Sequence, residues 1–373
     1  AGRASSAGES SYRRVAEQLR RSVWDRLVPA IGDAAEVFIV PDGTLNLVSF
    51  PALPAADGGY LADTRRRLHY LSAERDVIMK APARSGGGLL VFGAPAFDHL
   101  PSVSRRATRR AAAAGGVTER MSRAARGAPF SCGTFAAMRF EPLPGSTLEI
   151  QQIVQHWDRA STQGGRESGP SAVSLSGSAA SEADFKSMAS GHRVVHIATH
   201  GFFLGDECGS GEAGTQGSRQ PSFDQITREN PLLLSGLALA GANRRDDAAY
   251  EENDGILTAQ EIAVLDLRGT EWAVLSACDT GLGSLRAGEG VFGLKRAFEL
   301  AGARTLVLSL WAVDDDATRQ WMGALYRHRF IGGESTIEAV NAAGAEILRR
   351  RRSRGESTHP FYWAGYIAAG DWR

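Results

Sequence analysis

The sequence predicts an α/β fold in which helices cover both faces of a mainly parallel β-sheet. Short runs rich in Val, Ile and Leu recur through the second half of the chain, each followed by a segment of helical periodicity. Strands that are apolar on both faces belong to sheets covered on both sides. With 373 residues, 43% of them hydrophobic, the chain suffices for one large domain or two intimate lobes.

Taken in order, Val15, Leu19, Val23 and Leu27 recur at helical spacing and predict an amphipathic helix over 11–28, with Pro29 after its last turn. VFIVPDG, from Val37, reads as a buried strand ending in a turn, and Leu68–Leu71 as a second strand before a short helix at Ala73–Lys80. A loop around Pro82–Gly88 closes a first lobe, residues 1–84. A regular alternation then runs through 85–373. LLVFGAP (Leu89–Pro95) is a strand, and a helix starts at Ser146, where Ser146 and Glu149 have capping-box spacing, and runs to Trp157. Ser171–Gly177 is a strand, Ser181–Met188 a helix, and Arg193–His200 a strand. Thr258 and Glu261 cap the next helix, before the strand Trp272–Cys278 and the helix Gly288–Leu300. The strand Thr305–Trp311, a helix from near Asp316 and a helix over Thr336–Arg350 follow. Residues 101–140, with arginines at 105, 106, 109, 110, 120, 123 and 126, and the Gly/Ser-rich residues 205–230 read as long mobile surface insertions.

Lys+Arg and Asp+Glu are both 42, and this zero formal charge argues against a general nucleic-acid binder. No apolar run approaches the roughly 20 residues of a membrane span, so no membrane role is expected. The polar, Arg-rich N-terminal stretch is not a signal peptide. The chain begins with Ala rather than Met, which reads as an excised or processed product with something missing upstream. Its three cysteines, Cys132, Cys208 and Cys278, are too scattered for a disulfide framework or a thiolate metal site. A reducing cytoplasm suits them.

GHRVVHIATHGFF spaces His192, His196 and His200 by four residues. On a helix they would share a face, but the β-branched residues between them favour a strand, where four residues span roughly 13 Å, too far for one metal. His196 reads as a core residue. His200 differs, because Gly201 follows it and permits a sharp exit from the strand. In LSACDTGLGS, Cys278 closes a strand and leads into turn-forming residues. In such sheets catalytic groups gather at the carboxyl ends of strands. A free thiol has a pKa of about 8.5, so a neighbouring imidazole is needed to raise its thiolate fraction and to return the proton to a leaving amine. The backbone N–H groups of Gly201 and Cys278 are the natural oxyanion donors.

HIATHGFF with LSACDTGLG resembles the signature pair of CHAT domains, caspase-like peptidases related to separase. The likeness continues, in family order, through VFIVPDGTLNLVSFPAL, NDGILTAQEIAVLDL, GEGVFGLKRAFELAGARTLVLSLWAVDD and HPFYWAGYIAAGD. It implies a caspase-like three-layer sandwich whose six-stranded, mainly parallel sheet has the order 2-1-3-4-5-6, counting LLVFGAP as strand 1, after a smaller α/β lobe. It further implies a cysteine endopeptidase acting on a protein or peptide, with Cys278 as nucleophile and His200 as general acid/base, and no cofactor or metal. LWAVDDDAT is similar to a separase segment whose aspartate receives an arginine side chain. That implies a basic P1 residue, with Asp315 as its partner, Asp314 next and Asp279 a weaker candidate. These aspartates equally suit the N-terminus of the following helix, and Asp254 suits a turn. A basic P1 would make the Arg-rich stretch 101–127 a site of self-cleavage during activation. Family members often carry TPR-type repeats upstream, which would sense an activator. Two other readings stand beside this one: a dormant interaction module on the same fold, and a phosphate-cradling loop at GLGSLRAGEG, which lacks GxGxxG spacing.

Overall fold

The computed structural model describes residues 6–78, 86–101, 138–162, 172–203, 232, 234–248, 253–277, 287–311 and 313–373. The chain enters through helices α1 (Ser6–Ser22) and α2 (Trp24–Ile31) and strands β1 (Glu36–Ile39) and β2 (Arg67–Tyr70). Next come β3 (Leu89–Pro95), α3 (Pro144–Thr162), β4 (Val173–Gly177), α4 (Glu182–Met188), β5 (Val194–Ala198) and β6 (Gly201–Phe203). Then follow β7 (Ser235–Ala238), β8 (Ile256–Thr258), α5 (Ala259–Ala263), β9 (Trp272–Ser276) and α6 (Ala287–Ala301). The chain closes with β10 (Thr305–Ser309), α7 (Asp315–Tyr326), α8 (Thr336–Ser353) and β11 (Tyr366–Gly370).

Alternation within the fully buried strands builds three layers. In β9, Ala273 and Leu275 join one core with Trp24, Phe185 and Phe298, under α2, α4 and α6. Trp272 and Val274 join the opposite core with Ile153, Trp321 and Leu348, under α3, α7 and α8. The eight-stranded sheet has the order β1-β2-β11-β10-β9-β5-β3-β4. From β4 to β11 this is the expected 2-1-3-4-5-6 order. The sheet is not limited to six strands, however, because β2 pairs with β11 at Tyr70–Ala369 and β1 pairs with β2. The buried Leu68 and Tyr70 are what attach the N-terminal segment to that edge. β11 runs antiparallel to β10, while β10, β9, β5, β3 and β4 are mutually parallel.

Several local expectations change. The first helix breaks at Val23, and Pro29 lies inside α2 rather than beyond it, because Trp24 turns inward to pack on Phe50. The short helix at Ala73–Lys80 is a 3₁₀ turn over Glu74–Val77 within the described residues. Ser146 does not cap α3, which starts earlier, at Pro144, where the ring's fixed φ suits a first helical turn. Its Oγ donates to the Leu143 carbonyl at 2.7 Å instead. Residues 205–230 and all but the ends of 101–140 lie outside the described residues.

A second sheet, antiparallel with the order β6-β7-β8, follows β5 directly. A Cβ on Gly236 would sit 2.7 Å from the Phe202 ring, so only glycine permits this packing. Behind the sheet, Asp254 accepts from the Ile256 N–H at 2.8 Å, the turn its position suggested. Gly255 donates to the Glu182 carboxylate at 3.0 Å, and that carboxylate also pairs with Lys186. Lys186 also pairs with Glu261 at 3.0 Å, and Asp254 is close enough to feel both Lys186 and Glu261. Burial, and then the neighbouring carboxylates, pushes Glu182 up to about 8 against the pull of Lys186, and burial raises Asp254 to about 6. Between the ordinary carboxyl value of 4.5 and about 8, folded Glu182 holds a proton that the unfolded chain has released. Stability therefore falls as pH rises through that window and levels off above it. Urea midpoints between about pH 5 and pH 8.5 should show this fall, and Glu182→Gln, which keeps an acceptor for Gly255, should remove its upper part and leave the part that Asp254 contributes up to about pH 6.

Candidate functional site

The register of two parallel strands sets the site. β5 and β9 pair from Val194–Trp272 to Ala198–Ser276. His200 lies two residues beyond Ala198, and Cys278 lies two residues beyond Ser276 in the sequence. Cys278 and Asp279 themselves fall outside the described residues. On the described side, Ala277 is buried and its carbonyl accepts from Ser309 Oγ of β10 at 3.2 Å, which anchors the chain one residue before the cysteine.

His200 is held through its backbone and its ring. The buried Thr199 hydroxyl donates to the Ala238 carbonyl, and Ala238 N–H donates to the His200 carbonyl at 2.9 Å. Gly201 then begins β6, paired with Leu237 of β7. The imidazole packs against the Phe97–Phe140 pair, with ring centroids 5.4 and 5.8 Å away. Its Nε2 is 2.7 Å from the Glu141 carbonyl oxygen. A carbonyl only accepts, so Nε2 carries the proton, and in the neutral ring Nδ1 is the basic nitrogen.

Two side chains hold the segment that supplies this carbonyl: Arg245, whose guanidinium donates to the Met138 carbonyl at 3.3 and 3.2 Å, and Asn243. Asn243 Oδ1 accepts from Phe140 N–H at 2.8 Å, and Asn243 Nδ2 donates to the Phe140 carbonyl at 3.0 Å and to Asp98 at 2.9 Å. Asn243 N–H also donates to the Phe97 carbonyl at 2.9 Å. Asn243 therefore ties together both segments that flank the imidazole. The end of 101–140 is consequently part of the site: Phe140 is buried with Phe97 and Phe202.

The described acidic candidates, Asp314 and Asp315, lie past the carboxyl end of β10. Asp314 caps α7, its Oδ1 accepting from the N–H groups of Asp316 and Ala317 at 3.1 and 3.2 Å. Asp315 is exposed, and its Oδ2 accepts from Gly145 N–H at 3.1 Å, close enough that a Cβ on residue 145 would collide with it. Four residues separate Gly145 from Glu141, a reach of at most about 14 Å.

The other two histidines have separate duties. His192 Nδ1 donates to the Met188 carbonyl at 2.9 Å. His196 is fully buried, with Glu149 at 3.0 Å from Nε2 and the Tyr326 hydroxyl at 3.1 Å from Nδ1. Among the described residues, no group of three or more His, Cys, Asp or Glu is placed to hold a metal ion. No described helix is long and apolar enough to cross a membrane.

Glu141, Asn243 and Ser309 were not legible as site residues. A main-chain carbonyl has no side-chain signature, and Asn243 sits in an ordinary turn-like stretch. Only Phe97, two residues past the carboxyl end of β3, carried a positional signal.

Fold and site together define an α/β sandwich that carries a carbonyl-oriented histidine at the carboxyl edge of its sheet. The CHAT domain family profile matches residues 13–371, and the chain belongs to that family. Tetratricopeptide repeat protein 28 of Homo sapiens is 32% identical over 115 residues, 31% of this chain and 4% of that protein. Its Mus musculus counterpart is 32% identical over 116 residues, with the same coverage. The chain thus spans only a small part of the curated relatives it matches. The crystal structure of the Arg specific cysteine proteinase gingipain R aligns with a TM-score of 0.45 and 9% identity, covering 100% of this chain and 68% of that one. A likeness at this level carries no weight for activity.

Asn243→Ala should loosen the 138–141 segment, which Arg245 still holds at Met138, and with it the Nε2–H bond. Nitrogen-15 NMR of labelled histidine should then show His200 passing from a dominant Nε2–H tautomer to a mixture, while the His196 signals stay unchanged.

Proposed function

We propose that this chain is a cysteine endopeptidase unit in which Cys278 attacks a protein substrate and His200 transfers the protons. The observation that carries the reading is the in-register parallel pairing of β5 with β9, which ends both strands on one edge, with the His200 tautomer set by the Glu141 carbonyl. In the proposed cycle the Cys278 thiol gives its proton to Nδ1 of His200, and the sulfur bonds to the scissile carbonyl carbon. The backbone N–H groups of Gly201 and Cys278 receive the oxyanion. Collapse breaks the C–N bond, His200 protonates the leaving amine, and water, deprotonated by His200, hydrolyses the thioester.

A basic P1 side chain is the proposed specificity. Asp315 is the first partner for it, since its Oδ1 accepts from no described group; Asp314 is more committed to its helix, and Asp279 is a third candidate. The relatives' printed name supports a TPR array as the upstream sensor of an activator. A reducing cytoplasm would keep the thiol competent. Self-cleavage within 101–127 is the proposed activation step.

Peptide-library profiling tests the reading. Wild type should cut after Arg or Lys, Cys278→Ala should be inactive, and Asp315→Asn should lose about tenfold in Arg/Lys selectivity. Cleavage after acidic or apolar residues would remove the pocket assignment. Failure both to cleave and to react with an activity-based thiol probe would favour the dormant interaction module.

A further inference from the structure

Away from His200, a cavity of about 370 Å³ opens over the outer surface of α7. Four guanidiniums line it: Arg319 from α7, Arg327 just past its end, and Arg350 and Arg354 from the end of α8. The amides of Gln152 and Gln320 complete the wall, and no apolar side chain contributes among the described residues. Asp316 is the one lining carboxylate, and it is already taken by Arg319 and by Gln320 Nε2, the latter at 2.6 Å. Glu346 is shared between Arg327, Arg350 at 2.8 Å and His328 at 3.1 Å. Arg354 is the least committed: its pairing with Glu356 stretches to 3.9 Å, and Glu356 also serves Arg351 at 3.1 Å. Positive charge is therefore in excess around the basin. His156 senses it, being held below the ordinary imidazole range by burial and then by Arg327 and Arg159.

We propose that this cavity binds a small polyphosphate, inorganic or organic. Planar guanidiniums match phosphate oxygens in bidentate fashion, and several around one basin suit a ligand with several phosphate groups. The volume falls within the range of about 300–1,000 Å³ typical of small-molecule sites. A neutral organic ligand would find no apolar wall to bury against. A basin walled by α3, α7 and α8 on three sides favours a compact anion over an extended acidic segment.

The test uses tripolyphosphate titrated calorimetrically into the full chain carrying Cys278→Ala, at about 0.15 M salt to screen diffuse surface attraction. The expected result is one saturable site, at least about tenfold weaker in a chain also carrying Arg350→Gln and Arg354→Gln. Unliganded thermal midpoints show whether that variant stays folded. Arg319→Gln provides a second, independent weakening if it does not. No saturable binding, or binding that none of these arginine substitutions weakens, would overturn the proposal. So would an oligoglutamate peptide that binds more tightly than tripolyphosphate. None of these outcomes depends on peptidase activity.

Discussion

Parallel pairing of β5 with β9 is the constraint from which the rest of the site follows. Neighbouring strands lie about 4.8 Å apart, and a one-residue slip would turn every side chain to the opposite face. Here such a slip is blocked on both sides of the sheet, since Val195, Ile197, Ala273 and Leu275 fill one core and Val194, Trp272 and Val274 the other. The packing that stabilises the fold thus also decides which residues emerge at the carboxyl edge. Neighbours reinforce that edge, Ser309 from β10 holding Ala277 and Ala238 from β7 holding His200.

The histidine is oriented by a neutral group. A carboxylate behind the ring would add a full negative charge to the site; the Glu141 carbonyl fixes the tautomer without one. Its position depends on Asn243, which binds the 138–141 segment on one side and the loop after β3 on the other. The same segment leads to Gly145 and its bond to Asp315, so the support of His200 and the proposed P1 acid are joined through a short stretch of chain. Motion of α7 relative to α3 would therefore be felt at both.

How much of this could be read from the sequence depends on where the information resides. The central strands were legible because each is a short apolar run, buried on both faces and followed by a helix, and β3 matched its expected bounds, Leu89–Pro95. The cap at Thr258 was legible because a short side-chain oxygen before a helix has one common use. The same spacing misled at Ser146 and Glu149, where the glutamate faces inward to His196. Strands β6 and β8 are three residues each, too short to show alternation. The joining of β1 and β2 to the main sheet is a long-range event with no local pattern. Of the candidate site, His200 was marked by its place just past a strand and the proposed nucleophile Cys278 by the residue types around it, whereas the Glu141 carbonyl could only be found once the chain was folded.

In the proposed site the His200 imidazole is the base for the Cys278 sulfur. The most direct test of that role is the pH dependence of alkylation by iodoacetamide, followed at Cys278 by peptide mass mapping so that Cys132 and Cys208 do not interfere. Wild-type Cys278 is expected to react fast at neutral pH, and His200→Gln to slow it and move its inflection to about 8.5, the value of an ordinary thiol. The same profile in both proteins would show that the two groups do not share a proton, and would contradict the proposed role.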